Sequence, residues 1–186
     1  MQTELPYLTS KTLLAILLLS IAVAVIPWIT MRNIDARLTE NPPNNGIVAF
    51  ELARSAENAQ EMIDGWGPEL SILARKSIRM DFIFIPAYAF LFFSVTMLIA
   101  LLLGGAPSLW VRRAAFLPFV SGLADVVENA FLLLILKSPH DIPDLYPNVA
   151  AWCATVKFGL LALVVVVWII VVPARLIRRK RKRPAE

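Results

Sequence analysis

Apolar positions gather into four long runs, Thr12 to Met31, Phe82 to Leu103, Ala114 to Leu136 and Val149 to Val172, with polar stretches between them. Each run approaches or exceeds the ~20 residues a helix needs to cross about 30 Å of hydrocarbon. A transmembrane barrel would instead show alternating segments of about 10 residues, and none is present. The pattern predicts an all-α integral membrane protein, a four-transmembrane-helix bundle forming a single membrane domain over residues 1–186. Composition agrees: 58% of the 186 residues are hydrophobic and 17% charged, against about 45–50% and 25% in soluble domains.

The first run resembles a secretory leader in outline, with Lys11 before it and Ala22-Val23-Ala24 inside it. It continues through Val25-Ile26-Pro27-Trp28-Ile29, beyond the ~7–15 residues of a leader's apolar core, and Trp28 suits an interfacial anchor. The expectation is a retained anchor.

Between the first two runs, residues 32–79 form the one sizeable polar segment. Asn41-Pro42-Pro43-Asn44-Asn45-Gly46 is a turn cluster. From Ile47 to Ile63 apolar residues recur at helical spacing among Glu51, Glu57, Asn58, Gln60 and Glu61. This predicts an amphipathic helix capped by Asn45 and ended at Asp64-Gly65-Trp66-Gly67, with Phe50, Met62 and Trp66 packing on the mouth of the bundle. Pro68-Glu69 then opens a second helix leading into the second span. Ser138 to Asn148, with Pro139, Pro143 and Pro147, reads as a stiff non-helical connection. Its His140, Asp141 and Asp144 have no spacing that fixes a coordination geometry, so a solvated loop is expected there and no metal.

Charge sets the expected orientation. Arg175, Arg178, Arg179, Lys180, Arg181, Lys182 and Arg183 follow the fourth run directly, and excess Lys and Arg near span ends stays cytoplasmic. With four spans both termini fall inside, leaving ten cationic residues inside and seven outside. The bias rests on the tail. The setting implied is a bacterial inner membrane or another plasma membrane, with membrane lipids as partners and no nucleic acid.

Several chemistries lose their footing. One cysteine, Cys153, allows neither an intrachain disulfide nor a Cys-x-x-Cys centre. One histidine, His140, and the lack of H-E-x-x-H or G-x-G-x-x-G motifs leave no cofactor expected.

The informative chemistry lies inside the apolar runs. Asp125, Glu128 and Asn129 share one helix face at i, i+3 and i+4 in the third run, and Lys157 interrupts the fourth. A lone charge in hydrocarbon costs roughly 2.5–3.5 kcal/mol on insertion scales, so these residues should face protein or water and have partners. At ~1.5 Å per residue, Glu128 and Lys157 lie about 12–14 Å below the outer surface and Asp125 about 18 Å. A Glu128–Lys157 ion pair is therefore expected across the hairpin of the last two spans. In the second run Asp81 falls near the outer surface and Tyr88 about 12 Å down, with Pro86 between them freeing a helix carbonyl toward a cavity.

The expectation is a polar ligand-binding pocket in the outer half of the bilayer, lined by Asp81, Tyr88, Asp125, Glu128, Asn129 and Lys157. Asp125, with no lysine at its own level, is expected to be the proton-carrying group and Glu128 the fixed charge. The function expected is binding or transport of a polar or headgroup-bearing ligand, proton-linked through the carboxylates. Four spans are few for a carrier, so a homo-oligomer or partner membrane subunit is expected with it. The alternatives are a scaffold or assembly subunit, in which the polar layer only specifies packing, and a lipid-modifying enzyme using the carboxylates. Gly122 and Gly159 are expected at close helix contacts.

Overall fold

The computed structural model describes residues 9–40, 45–103 and 106–181. Six helices follow in order: α1 Ser10–Thr39, α2 Ile47–Glu51, α3 Ala56–Leu103, α4 Ala106–Ala114, α5 Leu117–Lys137 and α6 Leu145–Arg181. Four segments, within α1, α3, α4–α5 and α6, are long and apolar enough to cross a membrane. The described residues contain no strand.

Helix α3 is the hub. It packs along α1 over most of its length, and also against α5 and α6; α5 and α6 form a second closely packed pair. Helices α1 and α6 are at most sparsely in contact with each other. This asymmetry leaves a gap between them, with α3 as its floor.

The first polar segment is more helical than its sequence suggests. Helix α1 continues to Thr39, and the amphipathic pattern splits into α2 and the start of α3, separated at Leu52–Ser55. The expected single helix from Ile47 to Ile63 is thus corrected. Arg54 adopts a left-handed φ of 62° at the break, where Ser55 then caps α3 by accepting the Asn58 N–H at 3.2 Å. The cap expected at Asn45 is also corrected: Gly46 precedes α2, and Asp35 Oδ1 of α1 accepts the Ile47 N–H at 2.8 Å. A Cβ on Gly46 would meet Asp35 Oδ1, so this close approach requires glycine. Asn41 to Asn44 of the turn cluster lie outside the described residues.

Asp64-Gly65-Trp66-Gly67 does not end a helix fully. Helix α3 passes through it with one non-helical residue, Gly67 at φ 65° and ψ −175°, a conformation open to glycine because it has no Cβ. Pro68 follows, where its missing N–H falls in a first turn that has no partner for it. Trp66, 4% exposed, donates its indole N–H to the Asn45 carbonyl at 2.9 Å and meets Phe50 edge-on at 5.1 Å. With Ile34, Leu38, Ile63, Ile78 and Leu132 these rings form the largest apolar core, which pins α2 across the ends of α1, α3 and α5.

Two further expectations are corrected. Pro147 lies inside the first turn of α6, not in a loop, a position proline tolerates because first-turn N–H groups lack helical partners. Asp144, before that helix, accepts the Ala56 N–H at 3.2 Å and so caps α3 from the other end of the chain. Gly159 is exposed with nothing near its Cβ position, so it is no packing site, whereas a Cβ on Gly122 would meet Ile85 of α3 at 3.1 Å. Gly104, Gly105 and residues 182–186 of the basic tail lie outside the described residues.

Candidate functional site

The buried charges meet at one point. Lys157 Nζ lies 2.8 Å from Glu128 Oε1, 3.1 Å from Asp125 Oδ1 and 3.3 Å from Glu51 Oε2. An ammonium has three donors and no acceptor. All three are used, one on each carboxyl.

Around this centre the polar groups continue pairwise. Tyr88 Oη donates to Asp125 Oδ2 at 2.9 Å, and Asn129 Nδ2 donates to Asp81 Oδ2 at 2.8 Å. Ser121 Oγ donates to the Lys157 carbonyl at 3.2 Å, which joins α5 to α6 at the same level. Of the six residues singled out in the sequence, Tyr88, Asp125, Glu128 and Lys157 share one network, and Asp81 and Asn129 form a separate pair. Asp81, Tyr88, Asp125, Asn129 and Lys157 line a cavity of about 430 Å³, while Glu128, fully buried, sits behind Lys157.

The premise of the expected division of labour between Asp125 and Glu128, that no lysine reaches Asp125, is corrected. The level difference between them is one turn, about 4.5 Å, and the long flexible lysine stem spans it, so one ammonium serves both. The expected role of Pro86 is corrected as well: the proline is exposed, as is Phe82, whose carbonyl it would free. Both face away from the side of α3 that carries Asp81, Phe84 and Tyr88.

Glu51 was missed. Its neighbours Glu57 and Glu61 are exposed, and it reads as one more polar residue of a surface helix. The signal was present, because Ile47, Phe50 and Glu51 fall at i, i+3 and i+4 and hence on a single face. Ile47, Val48 and Glu51 all line the cavity, which makes α2 its cover at that end.

Trp28, Met31, Arg32 and Asp35 supply the α1 wall, and Phe158 and Leu161 the α6 wall. Two cations already rest on aromatic faces here: Arg32 at 5.6 Å from the Trp28 ring, and Lys157 at 4.7 Å from the Phe158 ring. No group of three or more His, Cys, Asp or Glu able to hold a metal occurs among the described residues.

Burial pushes the Glu51 carboxyl above the usual glutamate range; Lys157 opposes this, and Asp125 adds to it. Side-chain hydrogen bonds from Lys157 and Glu128 also oppose the rise, and burial outweighs them. The folded state thus holds this proton more tightly than the unfolded chain. Its contribution to stability is complete below about 4.5, the ordinary glutamate value, and is lost as pH rises through the higher folded value. Glu51→Gln should remove that component, so the melting temperature of the variant falls less than that of the wild type between pH 4 and pH 8. A steeper fall in the variant would contradict the assignment.

Comparison with family models, with curated proteins and with solved structures found no match. The functional reading rests on the chain's own chemistry.

Proposed function

We propose that this protein is a four-transmembrane-helix bundle, with both termini cytoplasmic and α2 on the outer side, that binds or transports a polar or headgroup-bearing ligand in the cavity at the Asp125–Lys157 layer. One observation carries the reading: an open volume of about 430 Å³ is lined by Asp81, Asp125, Asn129 and Lys157, all from segments long and apolar enough to cross a membrane. A layer that only stapled helices would be expected to close on itself, since interhelical hydrogen bonds return on average about 0.6 kcal/mol. The gap between α1 and α6 gives a ligand dissolved in the bilayer a sideways route in. Proton linkage enters through Glu51, whose carboxyl is made easier to protonate by burial, because a ligand charge nearby changes how readily it holds a proton.

Native mass spectrometry of the protein released from detergent tests the proposal. One small molecule or lipid retained per chain, and lost on filling the cavity with Ser77→Trp in a protein that still folds, is the expected result. A wild-type spectrum with no retained species, together with no response to added lipid or solute, favours the scaffold reading.

A further inference from the structure

Resting on that reading, we infer that the cavity selects an amphiphile with a cationic head, a protonated amine or quaternary ammonium, with Asp81 as its counter-ion and Trp28 and Phe92 among its aromatic walls.

Lys157 cannot serve an anionic ligand, since each of its three donors is already directed at a carboxyl. The carboxyls outnumber the cations: Asp35, Glu51, Asp81, Asp125 and the adjoining Glu128 stand against Arg32 and Lys157. Asp81 is the acid left over. It lines the cavity, its Oδ2 is held by the neutral Asn129 amide, and no cation lies within ion-pair distance of it among the described residues. A monovalent cation beside Asp81 would reduce the excess of carboxyls and give Asp81 the counter-ion it lacks among the described residues.

The walls independently fit the same chemistry. Trp28, Phe84, Tyr88, Phe92 and Phe158 all line the cavity, and aromatic faces attract ammonium groups, including fully alkylated ones that donate no hydrogen bond. The protein already places one guanidinium and one ammonium on two of these rings. Met31 of α1 and Leu161 of α6 are among the lining side chains, so an alkyl chain whose head is at Asp81 has apolar surface to lie along. The shared chemistry is an ammonium on an alkyl chain, whether carried by a choline or ethanolamine lipid or by a free amphiphilic amine.

Isothermal titration of the full chain in maltoside micelles with hexyltrimethylammonium, hexanesulfonate and 1-hexanol separates head charge from chain. The expected result is saturable binding of the cation alone at one per chain, weakened at least about tenfold in Asp81→Asn, where the counter-ion is lost. Trp28→Leu, at a half-exposed side chain, should weaken it several-fold and keeps the test available should Asp81→Asn fail to fold. Displacement of the probe by phosphatidylcholine but not by phosphatidylglycerol identifies a lipid headgroup; displacement by neither identifies a free amine. Equal binding of 1-hexanol, or tighter binding of hexanesulfonate, overturns the cation assignment and leaves a ligand cavity. Failure of all three probes, with no species retained in the native mass spectrum, overturns the binding reading as well.

Discussion

Lys157→Met is expected to be the most damaging single substitution in this protein. It leaves Glu51, Asp125 and Glu128 converging on a vacated point, with side chains 0–8% exposed and no other cation within ion-pair distance among the described residues. Breaking one buried pair by removing a partner costs about 3–5 kcal/mol, because the charge left behind has neither water nor counter-ion. Here three carboxyls are left at once. A folded yield too low to purify, or a melting temperature in detergent lower by more than 10 °C, taken as an order-of-magnitude figure, is expected.

The compensating variants discriminate a network from a pair. Were Glu128 the sole partner, Glu128→Gln with Lys157→Met would restore most of the loss, since replacing both sides of a buried pair is often near neutral. Because Asp125 lies at 3.1 Å on the other side of the ammonium, this double variant should recover only part of it. Adding Asp125→Asn should recover most of the remainder. Equal melting temperatures for the double and triple variants would remove Asp125 from the network.

The second large effect is expected in the apolar core beside the ion cluster. Phe50 is 1% exposed and packs edge-on to Trp66 in the core that fastens α2 across the helix ends. Phe50→Ala should destabilise by about 3–5 kcal/mol, through lost burial and the cavity left behind. Its more telling consequence is local. Helix α2 has only five residues and no side-chain cap of its own, so it has little helical stability apart from its docking. Hydrogen exchange over residues 47–55 should rise strongly, while the α5–α6 pair stays protected. Glu51 should leave Lys157 in the same step, since Phe50 and Glu51 are adjacent on the helix. Unchanged exchange in α2 would show that the Ile47 to Asp35 and Trp66 to Asn45 hydrogen bonds suffice to hold it.

These two cases mark the limits of reading the chain as text. Helix class and the four apolar segments are properties of composition and period: bilayer thickness sets a length, and each run either reaches it or does not. Asp125, Glu128, Asn129 and Lys157 stood out for the same reason, because charge in an apolar run is expensive wherever it sits along that run. Their approximate depths followed from a constant rise per residue. What this arithmetic lacks is lateral reach. It treats a lysine as a point at its own level, whereas its four-carbon stem spans a helical turn and lets a single ammonium collect Asp125 and Glu128 together.

Glu51 shows the deeper limit. In sequence it is separated from Lys157 by 106 positions, and the one local feature that sets it apart from Glu57 and Glu61, its place on the face of Ile47 and Phe50, does not say what that face meets. Its burial depends on α2 stopping after five residues, on Arg54 turning the chain, and on Phe50 finding Trp66. The cavity is likewise set by arrangement: α3 packs on both α1 and α6, while those two are at most sparsely in contact with each other. Period and composition along a single chain determine which faces are apolar and where charge must be met, but the gap between two helices that share a third is a property of three bodies in space. The sequence determined that polar groups must meet inside this protein; only tertiary packing decided that Glu51 completes the lysine's set and that open volume remains beside Asp81.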